Sequence, residues 1–184
     1  MINKNEPITF ITGNLNKLAS TQRYITIALE HHKLDLTEIQ SLDPKEVIEH
    51  KVKEAYKILK KPVLVEDTSL VFHGLGRLPG PFIKWFLEEV GNEGMCRMLD
   101  NKDRTASAVI SFGYYNGDKL IFAESTIEGT ISEHPRGENG YGWDPIFIPK
   151  DLNKTHAELT QEELDTINVR RVAIEKLEQQ LKTL

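Results

Sequence analysis

The stretch ITFITGNLNKLASTQRYI, residues 8–25, decides the fold because it joins a strand to a helix through a glycine turn. Its first part, ITFIT, is apolar and β-branched, which is typical of a buried strand. The polar turn TGN follows, and apolar residues then recur at helical spacing: Leu18, Ile25 and Leu29. A strand that turns directly into a helix predicts an α/β fold.

The next two segments continue this alternation. KLDLTEIQ, residues 33–40, alternates in polarity and predicts a strand that has on one face Leu34, Leu36 and Glu38. Pro44 can begin a helix, because proline is accepted in a first helical turn. The core stripe of that helix would be Ile48, Val52, Ala55 and Leu59.

The rest of the chain adds further strands and helices. VLVE, residues 63–66, predicts a short buried strand, and PGPFIKWFLEEVG, residues 79–91, predicts a turn, a helix and a glycine stop. Asn116-Gly117 predicts a hairpin between two strands. Thr160 and Glu163 form a capping box for a final helix with the stripe Leu164, Ile167, Ile174, Leu177 and Leu181. We therefore predict one mixed α/β domain spanning residues 1–184.

Composition excludes several classes of protein. The net charge of −5 argues against binding a nucleic-acid polymer, which usually recruits a basic surface. A single cysteine, Cys96, cannot form an internal disulfide and suits a reducing compartment. The N-terminal MINKNEP has no apolar signal core, and no window is long enough to span a membrane. We expect a cytoplasmic protein without a membrane partner.

The turn TGNLNK could hold a phosphate. Gly13 would let a ligand approach the backbone, and the helix N-terminus after it favours an anion. Thr12 and Asn14 offer polar side chains, and Lys17 adds a positive charge. The alternative is an ordinary turn with an Asn helix cap and a solvated lysine.

The segment EDTS could hold a metal ion. Glu66 and Asp67 leave a buried strand together, and carboxylate oxygens suit Mg²⁺. Either carboxylate could also deprotonate a water. The alternative is a turn in which Asp67 and Thr68 act as caps. Glu38, at the end of an apolar row, is either a ligand or a solvent-facing residue.

Other polar residues lie beside apolar stripes. Lys51 and Lys84 would either reach solvent or converge on a polyanion. Tyr141 and Trp143 flank Gly142, so both rings could stack on a planar ligand, or the Trp could fill the core. Arg170 lies beside the stripe of the final helix and would pair with a structural carboxylate or with a ligand carbonyl.

Four segments together carry a specific resemblance. FITGNLNK, PVLVEDTSL, LGRLPGPFIKWF and GYGWDPIFIP are similar to the inosine triphosphate pyrophosphatase family, the house-cleaning (d)ITP/XTP pyrophosphatases. The resemblance implies an elongated central mixed sheet flanked by helices, two lobes with a deep cleft, and a homodimer. It also implies Mg²⁺-dependent hydrolysis of a nucleoside triphosphate to the monophosphate and pyrophosphate.

The resemblance also implies roles for individual residues. The triphosphate would be held by Thr12, Gly13, Asn14, Lys17 and Lys51. Glu38 and Asp67 would bind the metal, with Asp67 as general base and Lys84 at the phosphates or the attacking water. The remaining substrate contacts would be Thr68, Ser69, Tyr141, Gly142, Trp143, Asp144 and Arg170.

The chain departs from the family pattern where the base is read. The family has Ser-His-Arg in its last helix, and the aligned residues here are Asn168, Val169 and Arg170. A base-reading lysine is replaced by Leu164. Because an unpaired buried acceptor costs about 1–3 kcal/mol, these changes favour altered base selectivity. The alternatives are therefore a pyrophosphatase for another altered nucleotide, or a nucleotide-binding protein without turnover.

Overall fold

The computed structural model describes residues 7–183, and the absence of a signal core is a prediction that falls almost entirely outside that range. The strands are β1 Ile8–Ile11, β2 Leu29–His32, β3 Val63–Phe72, β4 Pro79–Gly80, β5 Thr105–Tyr115, β6 Leu120–Ile131 and β7 Phe147–Pro149. The helices are α1 Leu15–Gln22, α2 Pro44–Leu59, α3 Ile83–Arg97, α4 Gln161–Thr166 and α5 Val169–Leu181. No helix within residues 7–183 is long and apolar enough to cross a membrane.

The strands form one mixed seven-stranded sheet, which confirms the predicted α/β class. Its order is β2-β1-β3-β5-β6-β7, with β4 paired to β3 off this path. β1 is parallel to both β2 and β3, whereas β4 and β7 run antiparallel to β3 and β6. The chain moves from β1 outward to β2 and then back across β1 to β3, so the direction of winding reverses at β1.

The described residues cluster into two compact units. The first comprises 7–67, 110–125 and 169–183, and the second comprises 68–109 and 126–168. The strands β3, β5 and β6 contribute residues to both units. One domain for the whole chain stays a prediction.

Each unit has its own apolar core. In the first unit α2 packs its buried face on the sheet through Ile48, Val52 and Ala55, all fully buried. In the second unit α3 packs against β3 and β5 through Ile83, Met95 and Cys96. Cys96 is thus a core residue, and burial raises the pKa of its thiol.

Two predictions in the first ninety residues need correction. The first helix ends at Gln22, and Leu29 lies in β2 instead of continuing the helix. Residues 33–40 form no strand. Because β1 ends at Ile11, opposite the last β2 residue His32, the segment after β2 has no neighbouring strand to pair with.

Two further boundaries differ from prediction. The final helix is interrupted at Ile167, whose φ of −115° and ψ of 13° end α4, so Leu164 and Ile174 lie on different helices. At Gly91 a φ of 64° bends α3, but helix resumes and continues to Arg97. The Thr160–Glu163 capping box, the helix begun by Pro44 and the Asn116-Gly117 turn are confirmed.

Candidate active site

The carboxylates Glu66 and Asp67 lie in the interior of β3, not at its end as the sequence predicts. β1 pairs with β3 only as far as Ile11, which is opposite Val65. The next two residues of β3 therefore extend past the carboxyl end of β1. In α/β sheets, ligands bind beyond the carboxyl ends of strands at the point where the winding reverses.

Adjacent residues of a strand face opposite sides of the sheet, and the two carboxylates follow this rule. Glu66 meets Thr21 of α1 and Arg170 of α5, while Asp67 meets Lys51 of α2. Val63 and Val65 pack on the same face as Asp67, in the core with α2. The two carboxylates therefore belong to separate polar clusters.

The cluster around Glu66 joins its carboxylate to two cationic side chains, Lys17 and Arg170. Arg170 donates from Nη2 to Oε1 at 2.8 Å and from Nε to Oε2 at 3.3 Å. The Thr21 hydroxyl donates to Oε2 at 3.0 Å, and Lys17 Nζ lies 3.9 Å from Oε1. Burial alone raises the pKa of Glu66, but Arg170 and Lys17 outweigh it and the net pKa lies below the usual value. Glu66 is therefore ionised at neutral pH.

The cluster around Asp67 centres on Lys51. The Lys51 ammonium donates to Asp67 Oδ1 at 2.8 Å and lies 3.0 Å from Glu38 Oε1. Lys51 is buried, and although burial lowers its pKa, the two carboxylates raise it above the usual 10.5 overall. Lys51 thus does not reach out to solvent but joins two carboxylates from different segments of the chain.

The turn after β1 is held by its own side chains. Asn14 Oδ1 caps α1 by accepting from the backbone N–H of Asn16 at 2.9 Å and of Lys17 at 3.2 Å. Thr12 Oγ1 accepts from the Asn14 N–H at 3.0 Å, and His31 Nε2 contacts the Thr12 carbonyl at 2.8 Å. Asn14 is thus a helix cap, as one alternative held, but Lys17 points to Glu66.

Gly13 is needed neither for the backbone conformation nor for packing in this structure. Its φ is not positive, and a Cβ placed on it would meet only Lys33 Cε, at 3.7 Å. The sharp turn expected from a glycine is therefore not the reason for this residue. The bare backbone at an exposed turn leaves space that a ligand can approach.

A divalent cation fits the Asp67 cluster. Asp67 Oδ2 is buried and has no hydrogen-bond partner among the described residues. No group of three or more His, Cys, Asp or Glu side chains in residues 7–183 is arranged to hold a metal. Mg²⁺ is commonly held by one or two carboxylates, with water and substrate phosphates as the other ligands, and Asp67 with Glu38 matches that pattern. The oxygens of Glu66 are already engaged by cations.

In the second unit, a loop closes on the carboxylate of Asp144. Asp144 Oδ2 accepts from the Tyr141 N–H at 2.7 Å, and His156 Nδ1 lies 3.4 Å from Oδ1. A Cβ at Gly140, which has a φ of 77°, would overlap Asp144 Oδ2, so only glycine allows this closure. Asn92 donates to the Gly142 carbonyl at 2.9 Å and ties the loop to α3.

Trp143 packs into the second unit instead of standing free. Its ring lies edge-on to Phe147, with centroids 5.6 Å apart, and beside the His156 ring at 5.8 Å. Trp143 also contacts the apolar core of that unit. Packing, one of the two alternatives, is thus present, and stacking on a ligand stays a prediction.

The remaining predicted residues of the second unit are Lys84, Thr68 and Ser69, which differ in exposure. Lys84 is exposed, and its ammonium lies 4.8 Å from the centroid of the Trp85 ring. Thr68 and Ser69 continue β3, with Ser69 buried and Thr68 half-buried. Their contact with a substrate stays a prediction.

Sequence reasoning missed two residues that contact the predicted ones. Thr21 follows Lys17 by four positions, so the two share a helix face, and this spacing was a usable signal. His156 approaches Asp144 from twelve positions along the chain, on the far side of β7, and no periodicity could have predicted that contact. Both residues hold a carboxylate in place.

Fold and site define an α/β protein with carboxylates and ammonium groups at the carboxyl end of a parallel strand, the place where such sheets bind ligands. The chain belongs to the Ham1 family, whose model matches residues 8–180. The predicted resemblance is thereby confirmed.

Similar proteins cover almost the whole chain. Inosine triphosphate pyrophosphatase of Yarrowia lipolytica is 46% identical, over 92% of this chain and 93% of the relative. Inosine triphosphate pyrophosphatase 2 of Trypanosoma cruzi is 42% identical, over 92% of this chain and 89% of the relative. The HAM1 protein structure from Coxiella burnetii is 25% identical with a TM-score of 0.81, over 96% of this chain and 100% of that one. The Staphylococcus aureus Ham1 structure is 26% identical with a TM-score of 0.74, over 97% and 99%.

Proposed function

We propose that this protein is a Mg²⁺-dependent pyrophosphatase that hydrolyses non-standard purine nucleoside triphosphates, namely ITP, dITP and XTP. Nucleoside triphosphate pyrophosphatase activity is the activity named for its curated relatives. The observation that carries the proposal is the buried Lys51, which joins Glu38 to Asp67 beside the carboxyl end of β1. Removal of such nucleotides from the cellular pool is the role that the resemblance implies.

The triphosphate is assigned to the turn after β1 and to two lysines. Gly13 leaves the backbone accessible, and Lys17 lies in the first turn of α1, where the helix dipole also favours an anion. Thr12 and Asn14 keep the turn in shape through their hydrogen bonds. Lys51 adds a second ammonium group. Together these groups offset the negative charge of the phosphates.

Asp67 and Glu38 would hold Mg²⁺ through their carboxylates, and Asp67 Oδ2 has no hydrogen-bond partner among residues 7–183. A bound Mg²⁺ neutralises charge on the phosphate oxygens during phosphoryl transfer. Lys51 fixes the other oxygen of Asp67, so the carboxylate cannot rotate freely. The Asp67 carboxylate is therefore held in one orientation.

Asp67 is assigned as the general base. Its carboxylate takes a proton from a water whose oxygen attacks the α-phosphorus. The bond from the α-phosphorus to the bridging oxygen breaks, and pyrophosphate leaves with the electron pair. The nucleoside monophosphate is the other product. Most of the rate enhancement comes from positioning the water and from neutralising the charge on the phosphates, as is usual in phosphoryl transfer.

The nucleoside is assigned to the loop residues Tyr141, Gly142, Trp143 and Asp144, with Thr68 and Ser69 as further substrate contacts. Lys84 is assigned to the phosphates or to the attacking water. Arg170 is assigned to the base. These assignments and the homodimer rest on the resemblance. A cytoplasmic location rests on the single cysteine, which suits a reducing compartment.

A different altered nucleotide is the second candidate substrate. Val169 is buried and apolar where the family has histidine, and Leu164 replaces a lysine. Loss of two hydrogen-bond donors weakens the preference for a 6-keto purine. A binding protein without turnover is a further alternative, which the carboxylates Glu38 and Asp67 beside Lys51 argue against.

A panel of triphosphates tests the proposal. Pyrophosphate release would be measured with Mg²⁺ for ITP, dITP, XTP, ATP, GTP and triphosphates of other altered bases. We expect kcat/KM for ITP or XTP to exceed that for ATP by at least about tenfold, which corresponds to about 1.4 kcal/mol. A higher value for another altered base would support the second candidate. Equal values throughout would contradict house-cleaning, and tight ITP binding without release would support the binding protein.

A further inference from the structure

One buried carboxylate in the first unit holds cations from two helices. The Glu66 side chain is fully buried, and its oxygens receive Arg170 of α5 and Thr21 of α1. Lys17, one turn before Thr21 on α1, approaches the same carboxylate at 3.9 Å. The positions of Lys17 and Arg170 thus depend on one shared anion.

Two cationic side chains, those of Lys17 and Arg170, lie against the Glu66 carboxylate. The side chains of Lys17 and Arg170 remain 20% and 12% exposed, whereas that of Glu66 has no exposure. The cluster therefore presents positive groups to solvent and keeps the anion inside, which suits a ligand with negative or hydrogen-bond-accepting groups.

Arginine is well matched to this arrangement. Its planar fork places two donors on Glu66 at once, so the guanidinium is held in orientation as well as in position. The Thr21 hydroxyl fixes the second carboxylate oxygen. A side chain held by this many bonds costs little further ordering when a ligand arrives.

We propose that Glu66 is a positioning residue that couples phosphate binding through Lys17 to base selection through Arg170. The inference rests on the proposed function, in which Lys17 contacts the triphosphate and Arg170 the base. Glu66 does not touch the substrate. Its loss releases both cations, so triphosphate affinity and base discrimination change together.

The first test compares Glu66→Gln with Glu178→Gln. Glu178 is also a buried glutamate of the first unit, and it accepts from the Thr26 backbone and hydroxyl, at 2.6 and 2.8 Å. Both variants lose a buried charge and some stability, whereas only Glu66→Gln releases Lys17 and Arg170. Thermal unfolding would confirm that each variant is folded at the assay temperature.

Two readouts separate positioning from stability. Calorimetry measures the affinity for inorganic tripolyphosphate. This ligand has no nucleobase, so its affinity reports on phosphate binding through Lys17 without any contribution from the base. The ratio of kcat/KM for ITP to that for ATP measures base discrimination, which is assigned to Arg170. We expect Glu66→Gln to weaken tripolyphosphate binding and to shift the ratio, each by at least about tenfold. Glu178→Gln should change neither by more than about twofold.

A double-mutant cycle tests whether Glu66 acts through Arg170. In an Arg170→Met background, Glu66→Gln should produce no further shift in the ITP/ATP ratio, because the group that it positions is already gone. The effect on tripolyphosphate should persist there, because Lys17 is still present. Additive shifts in the ratio would contradict positioning.

Glu66→Asp keeps the charge and covers the case in which Glu66→Gln does not fold. Its side chain is one methylene shorter and cannot hold Lys17 and Arg170 in the same places, so we expect shifts in the same direction of at least about threefold. Wild-type tripolyphosphate affinity and an unchanged ratio in a folded Glu66 variant would overturn the proposal. A wild type that binds tripolyphosphate but releases no pyrophosphate would instead contradict the proposed function, and the calorimetry would still decide the role of Glu66. A wild type that binds no tripolyphosphate would overturn both.

Discussion

Asp67 is buried beside Lys51 and depends on it for charge compensation. Lys51→Ala would leave a buried carboxylate with one partner removed, and breaking such a pair costs about 3 kcal/mol. The control is Lys53→Ala in the same helix. Lys53 forms an exposed ion pair with Glu49, so this change should cost less than about 0.5 kcal/mol of stability. Urea unfolding in EDTA measures both. Equal losses would show that Lys51 is not the partner Asp67 needs.

Glu66 gives the folded protein a specific dependence on acid. Burial raises the pKa of this carboxyl, but Arg170 and Lys17 outweigh burial and hold it below the usual 4.5. A carboxyl with a lowered folded-state pKa stabilises the protein above its unfolded-state pKa and loses that contribution as pH falls through the folded-state value.

We therefore expect the difference in unfolding free energy between wild type and Glu66→Gln to be constant near neutral pH. The difference should narrow below pH 4.5, as Glu66 itself becomes neutral. Urea unfolding at a series of pH values measures it. If the difference in unfolding free energy stayed constant down to the lowest pH at which both proteins fold, Glu66 would have no lowered pKa.

At the residue scale, sequence reasoning predicted which polar residues matter better than what they contact. The four segments that carry the family resemblance contain Lys17, Asp67 and Asp144, and each lies in a polar cluster. The contact between Arg170 and Glu66 joins residues 104 positions apart, and no local pattern encodes it. Long-range pairing of this kind follows from the topology of the strands.

Among the elements, α1 is short and depends on its cap. Asn14→Ala removes the acceptor for two N–H groups at the start of the helix, which costs about 1 kcal/mol. It should also raise the KM for the triphosphate, because Lys17 lies in the turn that loses its anchor. Asn14→Asp keeps a capping oxygen but adds a negative charge where phosphate is proposed to bind.

We accordingly expect Asn14→Asp to keep near-wild-type stability while its KM rises. Asn14→Ala should lose stability and raise KM together. Urea unfolding and steady-state kinetics with ITP measure these two quantities. An Asn14→Asp enzyme with unchanged KM would show that the turn does not face the phosphates.

Helix and strand boundaries reveal where local patterns fail. The sequence predicted VLVE as a short strand that Glu66 and Asp67 leave together, yet β3 runs on to Phe72. The carboxylates are tolerated inside the strand because Lys51 and Arg170 satisfy them from opposite faces. The alternation in residues 33–40 is real, since Leu34 and Leu36 pack on the core of the first unit, but β1 ends too early to provide a ladder partner.

For the whole molecule, the order of elements predicted the α/β class, and the mixed seven-stranded sheet confirms it. The division into two units was not predicted, because it depends on which parts of β3, β5 and β6 pack with which helices. The reversal of winding at β1 places the clusters of Glu66 and Asp67 at one end of that strand. Strand alternation then separates them onto the two faces of the sheet.

Pyrophosphate release from ITP by wild type and Asp67→Asn, with Asp118→Asn as the control, tests the central claim most directly. Asp118 is an exposed carboxylate of the hairpin loop in the same unit. The account predicts that Asp67→Asn lowers kcat by at least about a hundredfold, while its thermal unfolding stays cooperative and Asp118→Asn matches wild type. Full release by a folded Asp67→Asn enzyme would contradict the assignment of the carboxylates at the end of β1 as the site of hydrolysis.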